Sequence, residues 1–201
     1  GGVVTRDENY PLLHQNSQIV MLNRKLDELA HKGRPITARD GIDKLAFTGS
    51  TEIGYKVASA AADRLIPSTL ELGGKSANIF FDDCNQELAL EGVQLGILFN
   101  QGQVCCAGSR IFVKEGIYDE FIAKLKVAFE NVKVGFPWED ATQMGAQVNE
   151  SQLEKILSYV EIGKKEGARV LTGGVRKTDG DLAKGAFLEP TLLVDVTNDM
   201  R

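Results

Sequence analysis

Short apolar runs alternate with longer segments whose apolar positions recur every three to four residues, the two periods expected of strands and helices. Residues 43–47 read as a strand running into a turn at 48–50. Residues 51–63 then read as a helix with Ser50 as N-cap, because a serine hydroxyl accepts from the open N–H groups of a first turn. Residues 68–72 and 77–81 are predicted strands on either side of Gly73-Gly74. Helical spacing follows over 86–99. Residues 111–113 form the next predicted strand and 117–132 an amphipathic helix. A further helix, 149–166, is closed by Gly167 in the position where a left-handed residue ends a helix. Strands are expected at 168–171 and 187–194. Gly, Lys and Asp replace the apolar period over 172–184, which reads as an exposed linker. Nearer the N-terminus, Ile19, Leu22, Leu26 and Leu29 place a helix over 17–32. Strands alternating with helices of this length predict an α/β fold with a largely parallel sheet covered on both faces.

Composition narrows the function classes. A chain of 201 residues, 43% hydrophobic and 25% charged, is an ordinary globular composition. The net charge of −5 argues against a nucleic-acid partner, since phosphate binding draws on clustered Lys and Arg. No stretch approaches the roughly 20 apolar residues of a membrane span, and a basic-then-apolar leader is absent, so the cytoplasm is the expected location. Three cysteines, Cys84 and the adjacent Cys105 and Cys106, do not make a disulfide framework and suit a reducing compartment.

Two small-residue turns carry the candidate chemistry. Gln101-Gly102-Gln103-Val104-Cys105-Cys106-Ala107-Gly108-Ser109 presents thiols, and Leu70-Glu71-Leu72-Gly73-Gly74-Lys75 presents a carboxylate at a strand end. A thiol attacks as thiolate, so a cysteine on a tight turn near backbone N–H groups is a candidate for covalent catalysis. Glu71 is a general base if burial lifts its pKa, and otherwise a solvated strand end. Gly49 and Gly54 bracket Ser50-Thr51-Glu52-Ile53 at a helix start, where N–H groups and the helix dipole attract a pyrophosphate; a plain N-cap is the alternative. The Rossmann G-x-G-x-x-G fingerprint is not present there. Gly74-Lys75-Ser76 is not a P-loop, because Thr69 stands where that motif needs glycine. A zinc site drawn from Cys84, Cys105, Cys106, His14 and His31 is disfavoured by the adjacency of two of its cysteines, so no metal is expected. A Cys-His pair finds its histidines only in the N-terminal stretch. A packed cysteine pair or a vicinal disulfide remains the inert reading of Cys105-Cys106. Cys84, Asp82, Asp83 and Asn85 read as structural, loop or cap residues, and Trp138 as a packed surface aromatic.

Taken in order, Phe47-Thr48-Gly49-Ser50-Thr51-Glu52-Ile53-Gly54, the segment from Leu70 to Ser76 and the segment from Phe99 to Arg110 resemble the aldehyde dehydrogenase superfamily, with the resemblance running from about Gly41 to Arg201. It implies a parallel-sheet catalytic domain over 72–201 joined to a truncated Rossmann-like portion of an NAD(P)-binding domain over 1–71, divergent in 1–40. The family's Gly-Gln-x-Cys pattern selects Cys105 over Cys106 as nucleophile. The glutamate matching Glu71 activates the hydrolytic water, and Gly49, Ser50 and Leu72 fall to NAD or NADP. A small-molecule aldehyde is the implied substrate, its carboxylic acid the product, and a homo-oligomer the implied state of the full-length protein. Glu189-Pro190-Thr191 resembles a family segment after a strand and is read as structural. The family's oxyanion asparagine, its ribose-binding lysine and its Glu-x-Phe-Gly-Pro segment have no match here, so the chain reads as a fragment. A catalytically silent fragment retaining only packing or subunit contacts is the second function reading.

Overall fold

The computed structural model describes Thr37 and residues 41–201. The helix expected over 17–32, His14 and His31 lie outside the described residues. The chain divides into two compact units, Gly1–Gly74 and Lys75–Arg201.

In the first unit a strand β1 (Leu45–Thr48), a helix α1 (Thr51–Ala62) and a strand β2 (Ser68–Glu71) form one β-α-β element. The strands pair in parallel, from Leu45 beside Ser68 to Thr48 beside Glu71. Leu45, Val57 and Ala61 make the buried seam under α1, with Phe47, Ile66 and Leu70 packed around it. Ser50 caps α1 as expected, its hydroxyl accepting from the Ile53 N–H at 3.4 Å.

The second unit holds β3 (Ala77–Phe80), α2 (Gln86–Leu98), β4 (Arg110–Val113), α3 (Glu115–Glu130), α4 (Glu150–Glu166), β5 (Arg169–Thr172) and β6 (Leu192–Val194). Its main core joins Ala89 and Val93 of α2, Phe121, Leu125 and Phe129 of α3, and Leu192 and Val194 of β6. Phe121, Leu125 and Val93 are fully buried, and each such side chain contributes roughly 1.5–3 kcal/mol. Asn85 caps α2 and Asn149 caps α4 through their side-chain oxygens, while Gly167, at φ 109°, ends α4.

The α/β architecture with parallel strands is as expected, and among the described residues the strands form three two-stranded ladders: β1 with β2 and β3 with β4 parallel, β5 with β6 antiparallel. Three details differ. The β3–β4 ladder is covered on one face only, since Ile79 and Phe112 stay exposed on the other. The strand expected over 187–194 is paired as a strand only at Leu192–Val194, with Leu188 in an isolated bridge to Arg176; Pro190 has no N–H to give a ladder. Finally, residues 172–184 are a fastened loop within the second unit. Arg176 forks onto the Glu150 carboxylate and the Gly185 carbonyl, and Lys177 bonds Asp179 and Glu189. A Cβ on Gly173 (φ +70°) would stand 2.1 Å from the Pro190 carbonyl oxygen, so only glycine fits that crossing.

Candidate active site

Glu71 is the last residue of β2 and is exposed. Its backbone carbonyl accepts from the Gly49 N–H at 3.0 Å, so the parallel ladder carries on past β1 and draws the Gly49-Ser50 turn against the Glu71 strand end. Leu72 folds over the first turn of α1: a Cβ on Gly54 would stand 2.7 Å from Leu72 Cδ2. Gly49, Ser50, Glu71 and Leu72 therefore gather at one end of the β1–β2 ladder, beside the start of α1. The first N–H groups of a helix lack intrahelical partners and carry the positive end of its dipole, so this patch suits an anion.

The cysteine turn is built differently. Helix α2 stops at Leu98, and the 3₁₀ turn Phe99–Gly102 carries three successive left-handed residues, Asn100 (φ 47°), Gln101 (φ 56°) and Gly102 (φ 74°). Glycine adopts this region freely and asparagine tolerates it, but glutamine does so at a cost of about 1 kcal/mol. Local bonds offset part of it: the Gln103 N–H donates to the Asn100 carbonyl at 3.0 Å, and Asn100 Nδ2 donates to the Gln103 carbonyl at 3.2 Å. The Ala107 N–H then closes on the Val104 carbonyl at 3.2 Å, so Cys105 and Cys106 occupy the middle of a reverse turn. Beyond it, the Gly108 N–H donates to the Gly96 carbonyl at 2.9 Å and Asn78 Nδ2 donates to the Gly108 carbonyl at 3.1 Å. Cys105 and Cys106 are both exposed free thiols with no disulfide between them, while Cys84 is half-buried against the main core.

Elsewhere in the second unit Lys114 donates to Asp82 at 2.5 Å, and this bond holds the Asp82 carboxyl below its ordinary range. Trp138 stacks on Phe136 at 4.8 Å and lines an open cleft of about 580 Å³ with Glu139, Asp181, Lys184 and Gly185; no residue of the cysteine turn lines it. Among the described residues no three His, Cys, Asp or Glu side chains are grouped to hold a metal ion, and no helix is long and apolar enough to cross a membrane.

The bracing residues escape a motif-based reading. Asn78, Gly96, Gln147 and Val148 lie outside the three motifs, and the signal that could have pointed to them is the crowding of small and amide residues at 100–108, a segment that needs outside donors and acceptors.

The model of the aldehyde dehydrogenase family matches residues 26–201. This chain belongs to that family. Among solved structures, an aldehyde dehydrogenase variant from Bacillus cereus is 44% identical with a TM-score of 0.78, the match covering 84% of this chain and 34% of that one. An NAD+ complex of the aldehyde dehydrogenase from the same organism is 45% identical, also at 0.78, covering 82% and 33%. Betaine aldehyde dehydrogenase from Staphylococcus aureus, solved with NAD+, is 38% identical at a TM-score of 0.80, covering 83% and 33%. The chain thus spans about a third of the length of these aldehyde dehydrogenases. Its mixed α/β architecture with parallel strand pairs is that of the aldehyde dehydrogenase fold.

Proposed function

We propose that this chain carries the nucleophile and general base of an NAD(P)+-dependent aldehyde dehydrogenase, with Cys105 and Glu71 in those roles. The observation that carries the reading is the presentation of Cys105 as an exposed free thiol on a reverse turn that follows directly on three left-handed residues, 100–102. Such a backbone is costly, and costly backbone collects at functional sites.

In this reading the Cys105 thiolate attacks the aldehyde carbonyl, forming the C–S bond of a thiohemiacetal whose oxyanion takes a hydrogen bond from a backbone N–H of the turn. Loss of hydride from that adduct leaves a thioester on Cys105. Glu71 takes a proton from the water that attacks the thioester; the C–S bond breaks, and the carboxylic acid departs as the thiolate is restored. The donor set at the start of α1 fits a dinucleotide: its open N–H groups would hold a pyrophosphate, and Ser50, which uses its oxygen to accept from Ile53, keeps its hydroxyl proton to give. When bound, NAD(P)+ supplies the hydride acceptor. Gly49 contributes shape, since its N–H is committed to Glu71, and Leu72 packs the first turn of α1 from the side. Residues 1–71 belong in this reading to the cofactor portion and 72–201 to the catalytic portion.

Hydrolysis of an activated aryl ester by the purified chain, beside NAD+ reduction with a simple aldehyde, tests the assignment. Cys105→Ala is expected to lower ester turnover by about 10³-fold, as loss of a nucleophile does, while Cys106→Ala retains most of it. Ester turnover that survives Cys105→Ala removes Cys105 from the role.

A further inference from the structure

Gln147 is buried, at 5% exposure, a polar side chain within an otherwise apolar interior among the described residues. It lies in the segment between α3 and α4, well away in sequence from the cysteine motif. Its backbone is fixed, the N–H donating to the Ala186 carbonyl at 2.8 Å, and its side-chain Nε2 reaches across to the Gln101 carbonyl at 3.4 Å. Its Oε1 is buried without a hydrogen-bond partner among the described residues. A buried amide that leaves one oxygen unsatisfied costs stability relative to an apolar side chain of the same length, so packing alone does not account for glutamine here.

Its neighbours make the same crossing. The Val148 N–H donates to Gln103 Oε1 at 3.2 Å, and the Gln101 side-chain oxygen, with its amide turned to satisfy both ends, accepts from the Gly145 N–H at 3.3 Å. Three bonds from residues 145–148 therefore land on Gln101 and Gln103, on either side of Gly102 and two residues before Cys105. Gly145 itself is buried, and a Cβ there would stand 3.2 Å from the Gln101 amide. One of the three, from Gln147 Nε2, falls on the left-handed backbone itself at the Gln101 carbonyl, and the other two tie the Gln101 and Gln103 side chains beside it.

We propose that residues 145–148 form a positioning strap in which Gln147 and Val148 hold the left-handed turn at 100–102 and so fix the aim of Cys105. Gln147 touches no reacting atom and acts through the turn. The inference rests on the assignment of Cys105 as nucleophile for its functional meaning, but the brace itself is measurable without it.

The test is hydrogen exchange of the second unit's amides in the full chain, together with alkylation of Cys105 and Cys106 by iodoacetamide resolved by peptide mass spectrometry. Gln147→Met keeps the length and removes the amide; Gln103→Leu removes the acceptor, and Gln103→Glu restores one. In Gln147→Met and Gln103→Leu the Gln103 amide exchanges about tenfold faster, the size expected for one bracing hydrogen bond in a local opening, while amides of α3 and α4 keep their protection. Gln103→Glu exchanges like the parent. The Cys105 to Cys106 alkylation ratio falls toward one in the first two variants and recovers in the third. Unchanged exchange at Gln103 in Gln147→Met overturns the strap, and so does a loss spread over α3 and α4, which makes Gln147 a packing residue. A parent chain in which both thiols react alike counts against Cys105 as nucleophile and leaves the exchange result standing.

Discussion

Glu71 and Cys105 are placed by opposite means. Glu71 ends a strand whose register against β1 runs unbroken from Leu45 and Ser68 to its own pairing with Thr48, and the next ladder bond reaches the Gly49 N–H. Among the described residues, the bonds that set its place lie within one β-α-β element. Cys105 sits on a turn held by Asn78, Gly96, Gln147 and Val148, partners drawn from a strand, a helix and an inter-helix segment. A strand end tolerates change outside its own ladder. A turn fastened from several directions transmits changes made far from it, because each lost bond releases backbone that is unfavourable by itself.

The contrast is broken most directly with two glycines. A methyl group at Gly108 would stand 2.3 Å from Asn78 Nδ2 and 3.0 Å from its Cγ, so the whole amide must leave and its bond to the Gly108 carbonyl is lost. Gly108→Ala is expected to cost about 1–3 kcal/mol, the range for stranding a partly buried polar partner, and to slow ester acylation at Cys105. At Gly54 the neighbour is the end of the Leu72 side chain, which can rotate, and alanine gains up to about 1 kcal/mol of helix propensity. Gly54→Ala is expected to stay within about 1 kcal/mol of the parent in a urea melt. Equal melts for the two variants would remove the asymmetry between the regions.

A smaller effect sharpens the same comparison at the start of α1. Ser50→Ala removes the bond accepted from Ile53 and is expected to cost about 1 kcal/mol. Exchange should rise in the first turn of α1 while the amides of residues 101–108 keep parent rates, and NAD+ should bind more weakly by fluorescence titration. Faster exchange at 101–108 would show that the cofactor turn and the cysteine turn are not independently held.

The smallest effect is electrostatic. Lys114, just after β4, holds Asp82, just after β3, below its ordinary value of 3.8. A depressed carboxylate contributes stability that is present above its unfolded value and lost as pH falls through the folded one. The pair is exposed, so the contribution is slight. Asp82→Asn should flatten the acid limb of a thermal-melt series below about pH 4, leaving neutral pH nearly unchanged; an acid limb identical to the parent's would remove the pair as a contributor.

Legibility in the sequence follows the range of the bonds. Helices α1 and α4 begin and end close to where apolar period and capping residues place them, since Ser50, Asn149 and Gly167 act within three or four residues. Helix α2 stops one residue short of the expected end because Phe99 turns extended (ψ 130°) to lead into the cysteine turn. The run at 187–194 looks like a strand because Phe187, Leu188, Leu192 and Val194 are apolar, yet Phe187 and Leu188 pack into two smaller clusters ahead of Pro190, and only Leu192 and Val194 reach the main core as part of β6. Residues 172–184 look like a linker because their fastenings are ion pairs and a glycine crossing, which leave no apolar period.

The sequence by itself determined helices α1 to α4 and the three motifs that point to the aldehyde dehydrogenase family, because each depends on side chains and backbone bonds a few residues apart; the β1–β2 register joins residues 23 apart and came only with the fold. Only the tertiary structure decided the form of the turn carrying Cys105. Its bonds come from partners 30, 45 and 46 residues along the chain, and a contact of that range writes no period into the sequence; it exists only once the second unit has folded.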